Sequence, residues 1–278
     1  MRRPSRAAVA VALAVGAVLA GSQQTTTAAA PAPALATGHG VLSPADRAPA
    51  ANALPAARRP ALGARLPTCT VDDVRTRFDR LRDWEQTMLD HERRLPSSYA
   101  PRDLVPVSRA GVAGVGSVRA VVVKDLRAMA RAARKADAAF AVRSAYRSHA
   151  SQRATFARWT RTLGYEGALR ASARAGHSEH QLGTTVDLRA AGSTSSRFAG
   201  FGSTKAGRWT AKHAWRYGFV MSYPEGKTAK TCYKFEPWHF RYVGRELARD
   251  VHESGLTLRE YLWRNVETVR FYAVADVG

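Results

Sequence analysis

Three short stretches gather residues able to do chemistry together. "AGHSEHQLGTTVDL" (175–188) holds His177, His180 and Asp187, and "FEPWHF" (235–240) holds Glu236 and His239. "VRSAYRSHASQ" (142–152) ends an apolar run in Ser144, Tyr146 and Arg147, with Gln152 just beyond. A catalytic zinc takes about three protein ligands from His, Asp, Glu or Cys and keeps one position open to water. His180, in a loop, and Asp187, on the strand that follows, are separated enough for the chain to turn back and aim both at one point. His239 offers a third donor from elsewhere in the chain. Glu236 is kept out of a helix by Pro237 and stands three residues before His239, placed to take and return a proton. Two neutral imidazoles and one carboxylate leave a divalent ion net positive, which favours acidifying a bound water. Taken singly, His-x6-Asp and Glu-x-x-His also fit a polar loop and a core histidine. Arg147 at a strand end can hold a substrate carboxylate in a two-pronged pair, or form an ordinary surface salt bridge.

Such side chains need elements to position them. Apolar spacing predicts helices over 71–95, 121–136, 150–164, 210–218, 244–255 and 257–264, the last opened by a Thr257-x-x-Glu260 capping box. Strands are expected at 139–144, 184–190, 219–223 and 239–243. Gly164 and Gly218 close their helices, and Tyr223 and Tyr242 read as core. No regular strand–helix alternation, glycine-rich phosphate loop or internal repeat occurs. The expected class is α+β, with a small, mainly antiparallel sheet flanked by helices.

The composition of the first 66 residues differs from the rest. Arg2, Arg3 and Arg6 precede an uncharged apolar run from Ala7 to Ala20, the pattern of a secretory leader and too short for a membrane span; an uncleaved anchor is the alternative. Residues 1–30 are expected to be that leader, and the Ala/Pro-rich residues 31–66 a disordered spacer lacking large apolar groups. Residues 67–278 form the expected folded domain. An exported chain with two cysteines, Cys69 and Cys232, favours a disulfide over free thiols. The formal net charge is +21, and with seven Lys/Arg and one Asp in residues 1–66, about +15 belongs to the domain. That charge draws polyanions, although arginine in place of lysine alongside abundant alanine also follows from GC-rich coding. No nucleic-acid motif accompanies the charge, so for an exported monomer the expected partners are anionic cell-wall polymers. The tail 267–278 reads as an edge strand or a loose end.

Read together, "SAYRS" (144–148), "SEHQLGTTVD" (178–187) and "EPWHFRYVG" (236–244) resemble, in order and separation, the VanY-type D-alanyl-D-alanine carboxypeptidases. The likeness spans about Leu95 to Gly255. It implies the Hedgehog/DD-peptidase-like zinc fold with one zinc ion held by His180, Asp187 and His239, and Glu236 as general base and acid. Arg147 would bind substrate or stabilise the oxyanion, and Ser144, Tyr146, Gln152, Ser178 and Trp238 would line the pocket; a core role is the alternative for Trp238. Glu179 is expected to be structural, and His177 falls where the family places no ligand. The implied activity is removal of the C-terminal D-alanine from peptidoglycan stem peptides, with L,D-carboxypeptidase, stem endopeptidase and non-catalytic wall binding as alternatives. Ala145 replaces the family's usual glycine, Ala175-Gly176-His177 replaces a proline-glycine pair, and Cys232 stands near a common glycine.

Overall fold

The alternation in "TTVDLRA" becomes a strand at the centre of the sheet that carries the candidate residues. In this computed structural model, residues 65–193 and 199–268 are described. The expected leader, nearly all of the spacer and the tail beyond residue 268 lie outside them. The strands are β1 Val74–Arg75, β2 Arg93–Arg94, β3 Leu104–Pro106, β4 Ser117–Arg119, β5 Phe140–Ser144, β6 Thr185–Ala190, β7 Phe219–Met221 and β8 His239–Tyr242. The helices are α1 Val123–Lys135, α2 His149–Ala171, α3 Lys205–His213, α4 Thr228–Thr231, α5 Arg245–Ser254 and α6 Leu258–Leu262.

The main sheet runs β5-β6-β8-β7, every pair antiparallel. Val186 and Leu188 of β6 are buried with Phe140, Val142, Phe219 and Phe240 from the neighbouring strands. α1 covers this face through Leu126, Met129, Ala130 and Ala133, whose three-to-four spacing makes one apolar stripe. Asp187, on the opposite face of β6, lies in register with His239 of β8. A β-bulge between Val142 and Ser144 brings Ser144 opposite the same Asp187. Strand pairing alone therefore gathers three of the candidate residues. A second cluster joins Leu247, Val251, Leu258 and Leu262 of α5 and α6 to Met88 and Val243. Tyr242 is core as expected, stacked on Trp84 and donating to Asp125 at 2.9 Å.

Three helix expectations change. Residues 71–95 are not a helix: they hold β1, β2, a single 3-10 turn at Leu81–Asp83 and irregular chain. Thr87, Met88, Leu89, Asp90 and His91 are all buried in succession, which one face of a helix cannot achieve. Long-range partners replace the helical ladder. Thr76 donates to the Met88 carbonyl at 2.8 Å, and Arg259 reaches the buried Asp90 carboxylate at 2.7 Å. In α2, Gly164 leaves the helical path (φ 69°, ψ 171°) and closes the first helical segment as expected, and a second segment not foreseen runs on to Ala171. The expected helix over 210–218 begins earlier, at Lys205, where the Thr204 hydroxyl caps it; after His213 it tightens into a 3-10 turn closed by Gly218. The capping box at Thr257 and Glu260 is present. No helix among the described residues is long and apolar enough to cross a membrane.

Candidate metal centre

His180 sits on a single 3-10 turn, Glu179–Leu182, whose N-terminus is capped by the Ser178 hydroxyl. Gly183 ends that turn in a left-handed conformation (φ 74°) and reverses the chain into β6. A Cβ there would lie 2.9 Å from Arg119 Cγ, so glycine satisfies both the torsion and the close packing. The reversal sets His180 Nε2 3.2 Å from Asp187 Oδ2. His239 faces the same carboxylate from β8, with Nδ1 3.1 Å from Asp187 Oδ1. One donor atom from each of these three buried residues falls within 4.8 Å of the others.

The remaining ring nitrogens show what the cluster suits. His180 Nδ1 donates to the Ala145 carbonyl at 2.7 Å, leaving the Nε2 lone pair turned inward. His239 Nε2 donates to Glu179 at 3.0 Å, leaving Nδ1 turned inward. Each imidazole is thus tethered through one nitrogen and offers the other to a shared point, the arrangement of ligating histidines with outer partners. Two nitrogens and a carboxylate fit a catalytic zinc with an open position. Burial works against charge on His239, but Asp187 and Glu179 outweigh it and raise its pKa to about 10. Proton and cation therefore compete for Nδ1.

Glu236 lies 3.5 Å from His239 Nδ1, on the rigid turn set by Pro237. Its backbone N–H donates to the Tyr223 carbonyl at 3.0 Å, which ties that turn to the chain two residues beyond β7. Burial first, then the negative charges of Asp187 and Glu179, push its pKa up to about 7 against the pull of His239 and Arg147. Arg147 approaches from the end of β5, 3.7 Å from Asp187. Gln152 Oε1 accepts from its guanidinium at 2.7 Å, and Ser144 Oγ at 3.4 Å. Gln152 is itself fixed by donating to the Ala173 carbonyl at 2.6 Å. Ser144 and Gln152 therefore hold Arg147 in place as well as lining the cleft.

The cleft encloses about 270 Å³ and also takes in Ser178 and Trp238. Tyr146, expected in the pocket wall, is half-buried, and its backbone N–H donates to the Ser117 carbonyl at 2.9 Å. Tyr223 lines the cleft although it reads as core; it is buried and packs 4.7 Å from the His239 ring. Thr155, Arg158, Trp159 and Tyr233 complete much of the wall. Gln152, Thr155 and Trp159 stand at i, i+3 and i+7 on α2, a helical-face signal present in the sequence. His177 points elsewhere, its ring nitrogens meeting the Asp90 carbonyl and Asp73 at 2.8 and 3.0 Å. Cys69 and Cys232 are joined as a disulfide, and Cys232 adopts φ 71°, the conformation a glycine would favour.

Comparison with known proteins agrees with this architecture. Residues 116–245 match the family model described as VanY: D-alanyl-D-alanine carboxypeptidase. YodJ of Bacillus subtilis (strain 168), for which a carboxypeptidase activity is assumed, is 36% identical over 171 residues, covering 60% of this chain and 63% of YodJ. The match thus spans slightly less than two thirds of that relative's length. Among solved structures, the LdcB LD-carboxypeptidase is 33% identical with a TM-score of 0.59, over 63% of this chain and 84% of LdcB. A vancomycin resistance D,D-pentapeptidase VanY in complex with Zn(II) is 29% identical with a TM-score of 0.55, over 64% of this chain and 99% of its own. Motif order, the α+β fold and the sheet that pairs Asp187 with His239 converge on one conclusion: the chain belongs to the VanY family of carboxypeptidases.

Proposed function

We propose that the chain is an exported zinc carboxypeptidase that removes the C-terminal D-alanine from peptidoglycan stem peptides. The observation that carries this reading is the convergence of His180, Asp187 and His239 within 4.8 Å, beside a Glu236 carboxyl held near neutrality. One zinc ion bound by those three residues supplies Lewis-acid chemistry, polarising the scissile carbonyl and acidifying water. Glu236 takes the proton from the attacking water and returns it to the departing D-alanine nitrogen, a shuttle that a carboxyl poised near the working pH performs well. Arg147, fixed by Gln152 and Ser144, presents fixed positive charge where negative charge develops on the carbonyl oxygen. Ser178 and Trp238 border the bound peptide.

The Cys69–Cys232 disulfide supports an oxidising, extracytoplasmic location, as does the leader-like start with its spacer over 31–66. Net positive charge supports adhesion of a monomer to anionic wall polymers. The likeness to the LdcB LD-carboxypeptidase favours a second reading, cleavage after an L-centre by the same residues.

The test is hydrolysis of a D-Ala-D-Ala-ended peptide, followed by mass spectrometry of digested muropeptides. Glu236→Gln should keep fold and zinc while losing about 10²- to 10⁴-fold in rate, and a chelator should abolish activity until zinc is restored. Undiminished turnover in either case sinks the assignment, whereas loss of only the fourth, D-configured residue from tetrapeptides would select the L,D reading.

A further inference from the structure

The α2 wall carries a charge that the chemistry at the metal centre does not use. Gln152, Thr155, Arg158 and Trp159 all border the cleft. With a rise of about 1.5 Å per residue, Arg158 stands roughly 9 Å along the helix from the Gln152 that fixes Arg147. The two guanidiniums differ in their surroundings. Arg147 is held by Gln152 and Ser144 and faces Asp187. Arg158 is exposed, and its guanidinium forms no hydrogen bond or ion pair with any described residue. It acts on Arg147 as a like charge, adding to the burial that lowers the pKa of Arg147. The cleft's own carboxylates, Asp187 and Glu236, are both grouped around His239. Unpaired arginines are common on so basic a chain; Arg158 differs in bordering the cleft, where Asp187 and Glu236 are engaged with His239 and Arg147 and an anion brought by the ligand would find its guanidinium unpaired.

A departing D-alanine carries one carboxylate, so a second anion must lie on the acyl side of the scissile bond. That side continues toward the polymer, and Arg158 and Trp159 (36% exposed) are the lining residues of α2 that stand open to solvent beside it. We propose that Arg158, walled by Trp159 and Thr155, forms a second anion subsite that takes a free carboxylate on the acyl side of the substrate. The preferred substrate class is then a carboxylate-bearing stem peptide over its amidated counterpart. This inference rests on the carboxypeptidase reading for its direction along the cleft.

The experiment compares two pentapeptides ending in D-Ala-D-Ala, identical except that the γ-linked D-glutamate carries a free or an amidated α-carboxyl. The full zinc-loaded chain and Arg158→Gln are assayed for kcat/KM, and calorimetry measures binding of the corresponding tetrapeptides. The wild type should favour the free carboxylate by about two- to fivefold in both measurements, the scale of one exposed charged pair, and salt should shrink that preference. Arg158→Gln should bring the ratio close to one. Equal handling of the pair by the wild type overturns the subsite. An equal loss on both peptides with the ratio intact also overturns it, by moving Arg158 to the terminal carboxylate. Preferential binding without hydrolysis, lost in the variant, would uphold the subsite while overturning the carboxypeptidase reading.

Discussion

Glu179 and Glu236 are both buried beside His239, yet their surroundings push them apart. Burial opposes charge on Glu179, but Arg241, His239 and the Ser222 hydroxyl outweigh it and hold the pKa at about 2. Glu179 is thus a permanent anion that fixes the His239 ring, while Glu236, raised to about 7, is free to exchange protons. Divergent environments of this kind separate a structural carboxylate from a catalytic one. Replacing Glu179 with Gln should weaken zinc about 10- to 100-fold, read by competition with a chelating dye. The same change leaves the fully buried Arg241 uncompensated and should lower stability by about 3–5 kcal/mol, read by urea unfolding. An unchanged zinc affinity in the folded variant would remove Glu179 from the metal's support. For Glu236, activity needs the ionised form, so kcat/KM should rise with pH through its pKa. Bound positive charge lowers that value, placing the rising limb below about 7; a profile with no acidic limb between about 4.5 and 7 would count against Glu236 as the base.

At the scale of elements, one residue decides whether the motif closes. The 3-10 turn bearing His180 and strand β6 bearing Asp187 meet at Gly183, where φ is 74° and Leu104 Cδ2 would crowd a Cβ at 3.1 Å. Gly183→Ala should cost about 1–2 kcal/mol in backbone strain, with more from the crowding, and should displace His180 from Asp187. A urea midpoint and a zinc titration that both match wild type would contradict this. The four strands of the main sheet and α1, α5 and α6 were legible in the sequence because each buries one periodic face against a neighbouring layer, whereas the short β1 to β4 carry no such pattern. Residues 71–95 were not legible, since their apolar groups serve different partners. Met88 joins the α5/α6 cluster, while Leu89 and Leu95 pack with Tyr99 and Leu182. Spacing that looks helical is there shared among separate cores.

Across the whole molecule, the Cys69–Cys232 bond joins residues 163 apart, tying the start of the described domain to the segment just before "FEPWH". Arg259 reinforces the same junction, donating to the Pro67 and Lys230 carbonyls at 3.2 and 3.0 Å. Closing a loop of that length contributes about 2–5 kcal/mol by restricting the unfolded chain. Cys69→Ala with Cys232→Ala should lower the thermal midpoint by roughly 10 °C, and an unchanged melting curve would show the bond to be dispensable. Sequence alone determined the candidate ligand types, the position of Glu236, the antiparallel strands of the main sheet and the disulfide pair, because side-chain chemistry and strand periodicity are local properties. Tertiary structure decided which nitrogen each histidine turns inward, since the groups that settle it, the Ala145 carbonyl and Glu179, come from 35 and 60 residues away. It also brought Tyr223 and the α2 face into the cleft. Those outcomes depend on which distant backbone the fold lays beside each side chain, and no spacing within a motif encodes that.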